Sequence, residues 1–201
     1  SQGLNFYPDL AIINTFPPQY EKSMADIEDV FSKMTRLGAK DAIITLHKLP
    51  ENHCKPIRVR DYFLEGTKTI SRLAADYGIT LYVQPHPYRN YCPSIKEMIM
   101  FIDEVGEANL KMALNTGHIS ITKEDISAAV ESIGDRLGAI LICSSSKDLF
   151  GQQYDTHAPI YGSDIDISGV SRLMDIMVIL DGDYLDKDQE YLDANTVWGV
   201  S

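Results

Sequence analysis

Of the five histidines in the 201-residue chain, His47, His86 and His118 stand at or just beyond the C-terminal end of short apolar runs with strand character. His157 stands in the long segment after another such run. Imidazole titrates nearest neutral pH, so it can take up and return a proton or ligate a metal through its neutral ring. In parallel α/β folds the reactive groups gather at strand C-termini and in the loops that follow. Each histidine alone is more often a satisfied loop residue, but four obeying that rule point to one polar site. His53 sits farther along its loop.

Weaker candidates surround them. Lys48 and Lys147 follow strand ends and could hold an anionic group, although a solvated lysine is the commoner reading. Tyr88, Tyr91, Tyr154 and Tyr161 could stack on a ring-shaped ligand, whereas Tyr82 alternates with core positions and reads as structural. Asp164 and Asp166 read as the cap and first turn of a helix. Cys143 reads as a small buried core residue, and the acidic run from Asp181 to Asp193 as a solvated helix face.

The elements that must position these residues follow from periodicity. Apolar runs alternate with stretches at helical spacing, the pattern of consecutive βα units in a parallel sheet. LAIIN (10 to 14) is the first strand, and the next helix, over about 23 to 37, places Met24, Ile27, Val30, Phe31 and Met34 on one face before Gly38 closes it. DAIITLH runs to His47, and a helix over about 60 to 77 ends at Gly78. ITLYVQ ends at Gln84, and Ser94 is the cap candidate of a helix presenting Ile95, Met98, Ile99 and Ile102.

LKMALN ends at Asn115, and Thr122 precedes a helix with Glu124 and Asp125 in its first turn. GAILICS ends near Ser145 and is followed by the longest irregular segment, about 148 to 163. IMVIL (176 to 180) is read as a sixth strand ending at Asp181 in preference to the end of a helix begun near Ser168. A terminal helix is expected to pack Trp198 on the sheet. The fold class is therefore α/β, a (β/α) TIM-barrel-like parallel sheet in one domain over 1–201. It is incomplete, with about six βα units where a closed barrel has eight. An open sheet exposes strand edges, which predicts a homo-oligomer or a preceding segment that covers them.

Composition narrows the function. Lys and Arg total 18 against 29 Asp and Glu, a net charge of -11; with no basic cluster, nucleic acid is excluded as a partner. The three cysteines form no CxxC pair, so neither a disulfide framework nor a zinc knuckle is expected. No apolar run reaches the roughly 18 residues of a membrane span, and the polar start is not a signal peptide. A reducing, cytoplasmic location fits.

The segments LGAKDAIITLH, GITLYVQPHP, LKMALNTGHIS and THAPIYGSDIDI, in this order and spacing, resemble the xylose isomerase-like TIM-barrel family of sugar and sugar-phosphate isomerases and epimerases. The resemblance covers about residues 10 to 181, starts at the family's third βα unit, and is strongest in NTGH, similar to the family's DTGH. It implies a small carbohydrate or sugar phosphate as substrate. It also implies a divalent cation (manganese, magnesium or zinc), held by a Glu, an Asp, a His and a second Glu at four successive strand ends.

Carried onto this sequence, those ligands fall on Gln84, Asn115, Ser145 and Asp181, or on Asp186 if the last run is helical. His118, three residues after Asn115, and His86, two after Gln84, match family positions near substrate and would be the catalytic residues. Gln84, Asn115, His47, Ser145, Lys147 and His157 would bind substrate. The glycines expected around the long loop are shifted, with Gly162 flanked by Tyr161 and Ser163.

A dication in a partly buried site needs deprotonated ligands to offset its dehydration. This shell offers one carboxylate, Asp181, where the family offers three. Metal binding is therefore expected to be weak or absent. Gln84 and Asn115 keep the shape of the acids they replace but not their charge or proton-transfer capacity. The sequence thus supports two readings: an isomerase or epimerase-like protein with a degraded metal site, or a non-catalytic barrel binding a carbohydrate or a protein partner through the same pocket.

Overall fold

The computed structural model describes residues 4–5, 17–44, 46, 56–85, 92, 94–147, 149–160, 163, 165–167, 170 and 176–181. The chain divides into two compact units, Ser1–Ala113 and Leu114–Ser201.

The first unit alternates strands and helices: β1 (Leu4–Asn5), α1 (Pro17–Arg36), β2 (Asp41–Ile44), α2 (Pro56–Asp76), β3 (Thr80–Val83), α3 (Ile95–Val105) and the start of β4 (Leu110–Asn115). The strands pair in parallel, with Leu4 opposite Ala42, Ala42 opposite Leu81, and Leu81 opposite Leu110. Their near-continuous apolar character reflects burial on both faces: Ala42, Ile44, Leu81 and Val83 are fully buried. On α1 the buried positions are Ser23, Ile27, Phe31 and Met34, a stripe at helical spacing. Met24 and Val30, expected on that face, flank it half-buried.

Local chemistry fixes the boundaries. Ser94 and Glu97 form a reciprocal capping box at the start of α3, and Gly106 closes it in the left-handed region at φ 70. Asn109 ties α2 to β3 by donating its amide to the Ser71 and Ile79 carbonyls at 2.8 and 3.1 Å. Tyr82 is buried in β3 and donates its hydroxyl to Asp41 on the adjacent strand at 2.8 Å. Cys92 lies in a dry environment: burial pushes its thiol up to about 12, Glu97 adds to the shift, and Arg60 opposes it.

The second unit holds the end of β4, α4 (Thr116–Thr122), α5 (Ile126–Ile133), a 3₁₀ turn (Gly134–Arg136), β5 (Leu137–Ile142), β6 (Ser144–Lys147), β7 (Gln153–Ala158) and β8 (Met177–Leu180). β8 pairs with β5 in parallel, Ala139 opposite Met177 through Ile142 opposite Leu180, so the last apolar run is a strand, over Met177–Leu180. β6 and β7 form an antiparallel hairpin with Ser144 opposite Ala158 and a bulge between Ser144 and Ser146.

Two expectations are corrected here, and one helix appears that the sequence analysis does not anticipate. The segment after β5 is not irregular throughout, because polar residues 153–158 form β7; a ladder carried by backbone and by a Ser146–Thr156 hydroxyl contact at 2.8 Å has no apolar alternation to betray it. TGHISIT forms a helix that its β-branched residues and brevity disguise. Glu124 and Asp125 do not lie in a first turn, since Asp125 is the N-cap of α5, accepting from the Ala128 amide at 2.7 Å. The expected strand at 10 to 14 and the terminal helix with Trp198 lie outside the described residues. Among the described residues no helix is long and apolar enough to cross a membrane.

Candidate functional site

The polar centre of the second unit is built where β4, β5, β7 and β8 end. Asn115, 1% exposed at the end of β4, caps α4 by accepting the His118 amide on Oδ1 at 3.1 Å. The same oxygen accepts the Cys143 thiol at 3.1 Å, while Nδ2 donates to Asp181 Oδ2 at 3.4 Å. One neutral amide thus joins a thiol to a carboxylate, donating to the acceptor and accepting from the donor.

Asp181 follows β8 and is anchored by its own N–H to the Ile142 carbonyl at 3.0 Å. Its Oδ2 lies 3.0 Å from His157 Nδ1, and its backbone oxygen 3.2 Å from the same nitrogen. His157 reaches it from β7 with φ 47, a left-handed backbone conformation that a side chain rarely adopts. The His118 and His157 rings meet edge to face with centroids 6.3 Å apart.

Two residues beside Asn115 fit the thiol into place. Thr116 Oγ1 donates to the Cys143 carbonyl at 2.5 Å and accepts the Cys143 amide at 3.0 Å. Gly117 leaves room: a Cβ there would lie 3.0 Å from Cys143 Sγ, 3.2 Å from Asn115 Oδ1 and 3.2 Å from the Ser144 carbonyl. Alanine normally favours a helix over glycine by about 1 kcal/mol, but here it must displace two fixed side chains and a backbone carbonyl, costing about 1–3 kcal/mol. Sterics should win. Gly117→Ala is expected to lower the unfolding free energy by about 1 kcal/mol in denaturant titration, and a gain in stability would show that Cys143 is not held against this glycine.

Ser145 lies in a neighbouring group. Its hydroxyl is 3.1 Å from that of Ser120, and Gln153 Nε2 donates to both, at 2.8 Å to Ser120 and 3.3 Å to Ser145. They line a cavity of about 390 Å³ together with Glu124, Lys147, Ser163 and Asp166.

Within the second unit the positions singled out in the sequence fall into two groups. Asn115, His118, His157 and Asp181 meet, and Ser145 and Lys147 line the adjacent cavity. Gln84 is buried just beyond β3 in the first unit, and Tyr154 is 44% exposed on β7. His47, Lys48, His86, Tyr88, Tyr91, Tyr161, Asp164 and Asp186 lie outside the described residues.

Sequence reasoning gives Cys143 as a buried core residue, which it is, without the contact of its thiol with Asn115, and does not single out Thr116, Ser120 and Gln153, which support the two groups. The spacing of Cys143, directly after the apolar run of β5, was the available signal.

An oxygen-rich dication shell does not fit these residues. Asn115 Oδ1 already accepts two donors, the Ser145 hydroxyl is engaged with Ser120 and Gln153, and among the described residues of this group Asp181 is the one carboxylate.

Parallel strands alternating with helices, with polar side chains gathered at the strand C-termini, define an incomplete (β/α) barrel. The sequence matches the xylose isomerase-like TIM barrel family over residues 2–178, and the chain belongs to that family. Its fold is similar to D-allulose 3-epimerase from Methylomonas sp. (18% identity, TM-score 0.70, covering 90% of this chain and 63% of that one). It is also similar to 3-keto-D-glucoside 4-epimerase from E. coli (16%, 0.70, 98% and 78%). A third likeness is to the probable 3-DHS dehydratase AsbF of Bacillus anthracis (12%, 0.75, 100% and 77%). At these identities the likeness is one of fold, and the chain spans 63% of the allulose epimerase. No curated protein matches the chain significantly.

Proposed function

We propose that the protein is a sugar or sugar-phosphate isomerase or epimerase-like protein whose oxygen-donor metal shell has been replaced. The observation that supports it most directly is the His157–Asp181 pair beside Asn115 at the strand ends. Moving a hydrogen between sugar carbons requires a base to remove the proton next to the carbonyl and an acid to return it. A carboxylate beside Nδ1 orients the imidazole, a group that can both take up and return a proton, so His157 can serve as either. His118, edge-on to that ring, is the second proton carrier. His86 is assigned the same role by resemblance, and Gln84, Asn115 and His47 are assigned to substrate hydroxyls. Ser145 and Lys147 line the cavity, where they would meet further hydroxyls or a phosphate.

A non-catalytic carbohydrate-binding barrel is the second reading, favoured by the amide at 115, which cannot carry a proton. Incubation of the full chain with ketohexoses in D₂O separates the two. The enzyme reading expects deuterium at the carbon beside the carbonyl, at a rate lowered roughly 100-fold or more by His157→Asn. Thermal stabilisation by a sugar with no deuterium incorporation would leave the binding reading standing and the enzyme reading refuted.

A further inference from the structure

Cys143, His157 and Asp181 each present a ligand atom to the same point, with all three atoms within 4.8 Å of one another. They come from three separate stretches of chain, the residue after β5, β7 and the residue after β8. Cys143 is fully buried, whereas the side chains of His157 and Asp181 are 41% and 18% exposed. One side of the group is therefore dry protein, and the other is open to an entering ion. Thiolate, imidazole and carboxylate are the donors that borderline-soft cations take, with metal–sulfur bonds near 2.3 Å and metal–nitrogen bonds near 2.0–2.1 Å. Magnesium and manganese favour all-oxygen shells.

We propose that Cys143, His157 and Asp181 form a three-ligand site for a borderline-soft dication of the zinc or cobalt(II) type, with a fourth position open. Binding replaces the thiol proton. The cation bonds the Cys143 thiolate, His157 Nδ1 and an Asp181 carboxylate oxygen, and one proton leaves to solvent. The 3.0 Å between His157 Nδ1 and Asp181 Oδ2 is near the roughly 3.4 Å that separates two donors each about 2.1 Å from one tetrahedral ion, and Cys143 Sγ lies within 4.8 Å of both. Asn115 then changes role, from acceptor of the thiol proton to a neutral wall that holds Asp181 in place. The site stands whether or not the chain turns over a sugar.

Cobalt(II) titration of the chelator-treated full chain tests this by absorption. The expected result is a near-ultraviolet sulfur-to-cobalt charge-transfer band with intense visible bands of a four-coordinate ion, both lost on adding one equivalent of zinc. Cys143→Ser should abolish the charge-transfer band and weaken zinc binding roughly 100-fold or more. Cys92→Ala should leave the band intact. His157→Gln, at a part-exposed position, should reduce the visible bands and serves as the second probe if Cys143→Ser does not fold. Manganese should bind at least about 100-fold more weakly than zinc. Cobalt bound without the charge-transfer band, manganese bound as tightly as zinc, or no binding by the folded protein would each overturn the site. Deuterium exchange persisting without cobalt binding refutes this site alone. Binding without exchange refutes the isomerase reading alone.

Discussion

Thr116→Val should lower the unfolding free energy by about 3 kcal/mol, while Thr116→Ser should cost only about 1 kcal/mol. Valine matches threonine in shape, so packing is nearly unchanged and the measurement isolates the hydroxyl. That hydroxyl lies in the buried interior, where it accepts the Cys143 amide at 3.0 Å and donates to the Cys143 carbonyl at 2.5 Å. Losing it leaves a buried N–H without its acceptor, at about 1–3 kcal/mol, and removes a second bond worth about 1 kcal/mol. Serine keeps both bonds and loses one methyl. In a domain of this size the valine change corresponds to a fall of roughly 6–12 °C in Tm. Equal stability of the valine and serine variants would mean that Thr116 does not brace the strand end that carries Cys143.

The contrast between the two units shows what the sequence makes legible. Ile27, Phe31 and Met34 on α1, and Ala42, Leu81 and Leu110 on the strands, declare their places because burial forces one residue type at a fixed period. Ser94 and Glu97 declare a helix start, because a capping box needs those side chains three residues apart. β7 does not, since QYDTHA pairs through backbone and hydroxyl contacts that leave no hydrophobic rhythm. The candidate site divides the same way. Asn115, His118 and Asp181 were readable because strand ends are where chemistry collects. The core reading of Cys143 agrees with its full burial, but burial says nothing of which polar atoms a thiol meets; only the fold brings it beside Asn115 and within reach of His157 and Asp181. The sequence places His157 in a long segment without apolar rhythm that does not name Asp181 as its partner; β7 and β8 bring the two together.

Asn115→Asp should destabilise the protein at pH 8 by about 2–4 kcal/mol and leave it nearly as stable as the parent in mild acid. The amide now donates to Asp181 Oδ2 at 3.4 Å; the variant would set two carboxylates at that distance with no donor between them. Two such groups cannot both ionise cheaply, so one keeps its proton to a pH well above the ordinary carboxyl range. The sign follows from linkage. The raised folded pKa means that the native state holds a proton which the unfolded chain releases near pH 4. Stability relative to the parent is therefore fully present below that pH, and is lost progressively as pH rises through the folded value. A hard dication entering between the carboxylates would supply the missing positive charge, so manganese, which the parent's sulfur-containing site disfavours, should raise the variant's Tm well above any effect on the parent. Thermal unfolding of both proteins from pH 4 to pH 8, with and without metal, reads all of this. A difference between them that does not vary with pH would mean that the side chains at 115 and 181 do not face one another, and the account of the strand-end site would fail with it.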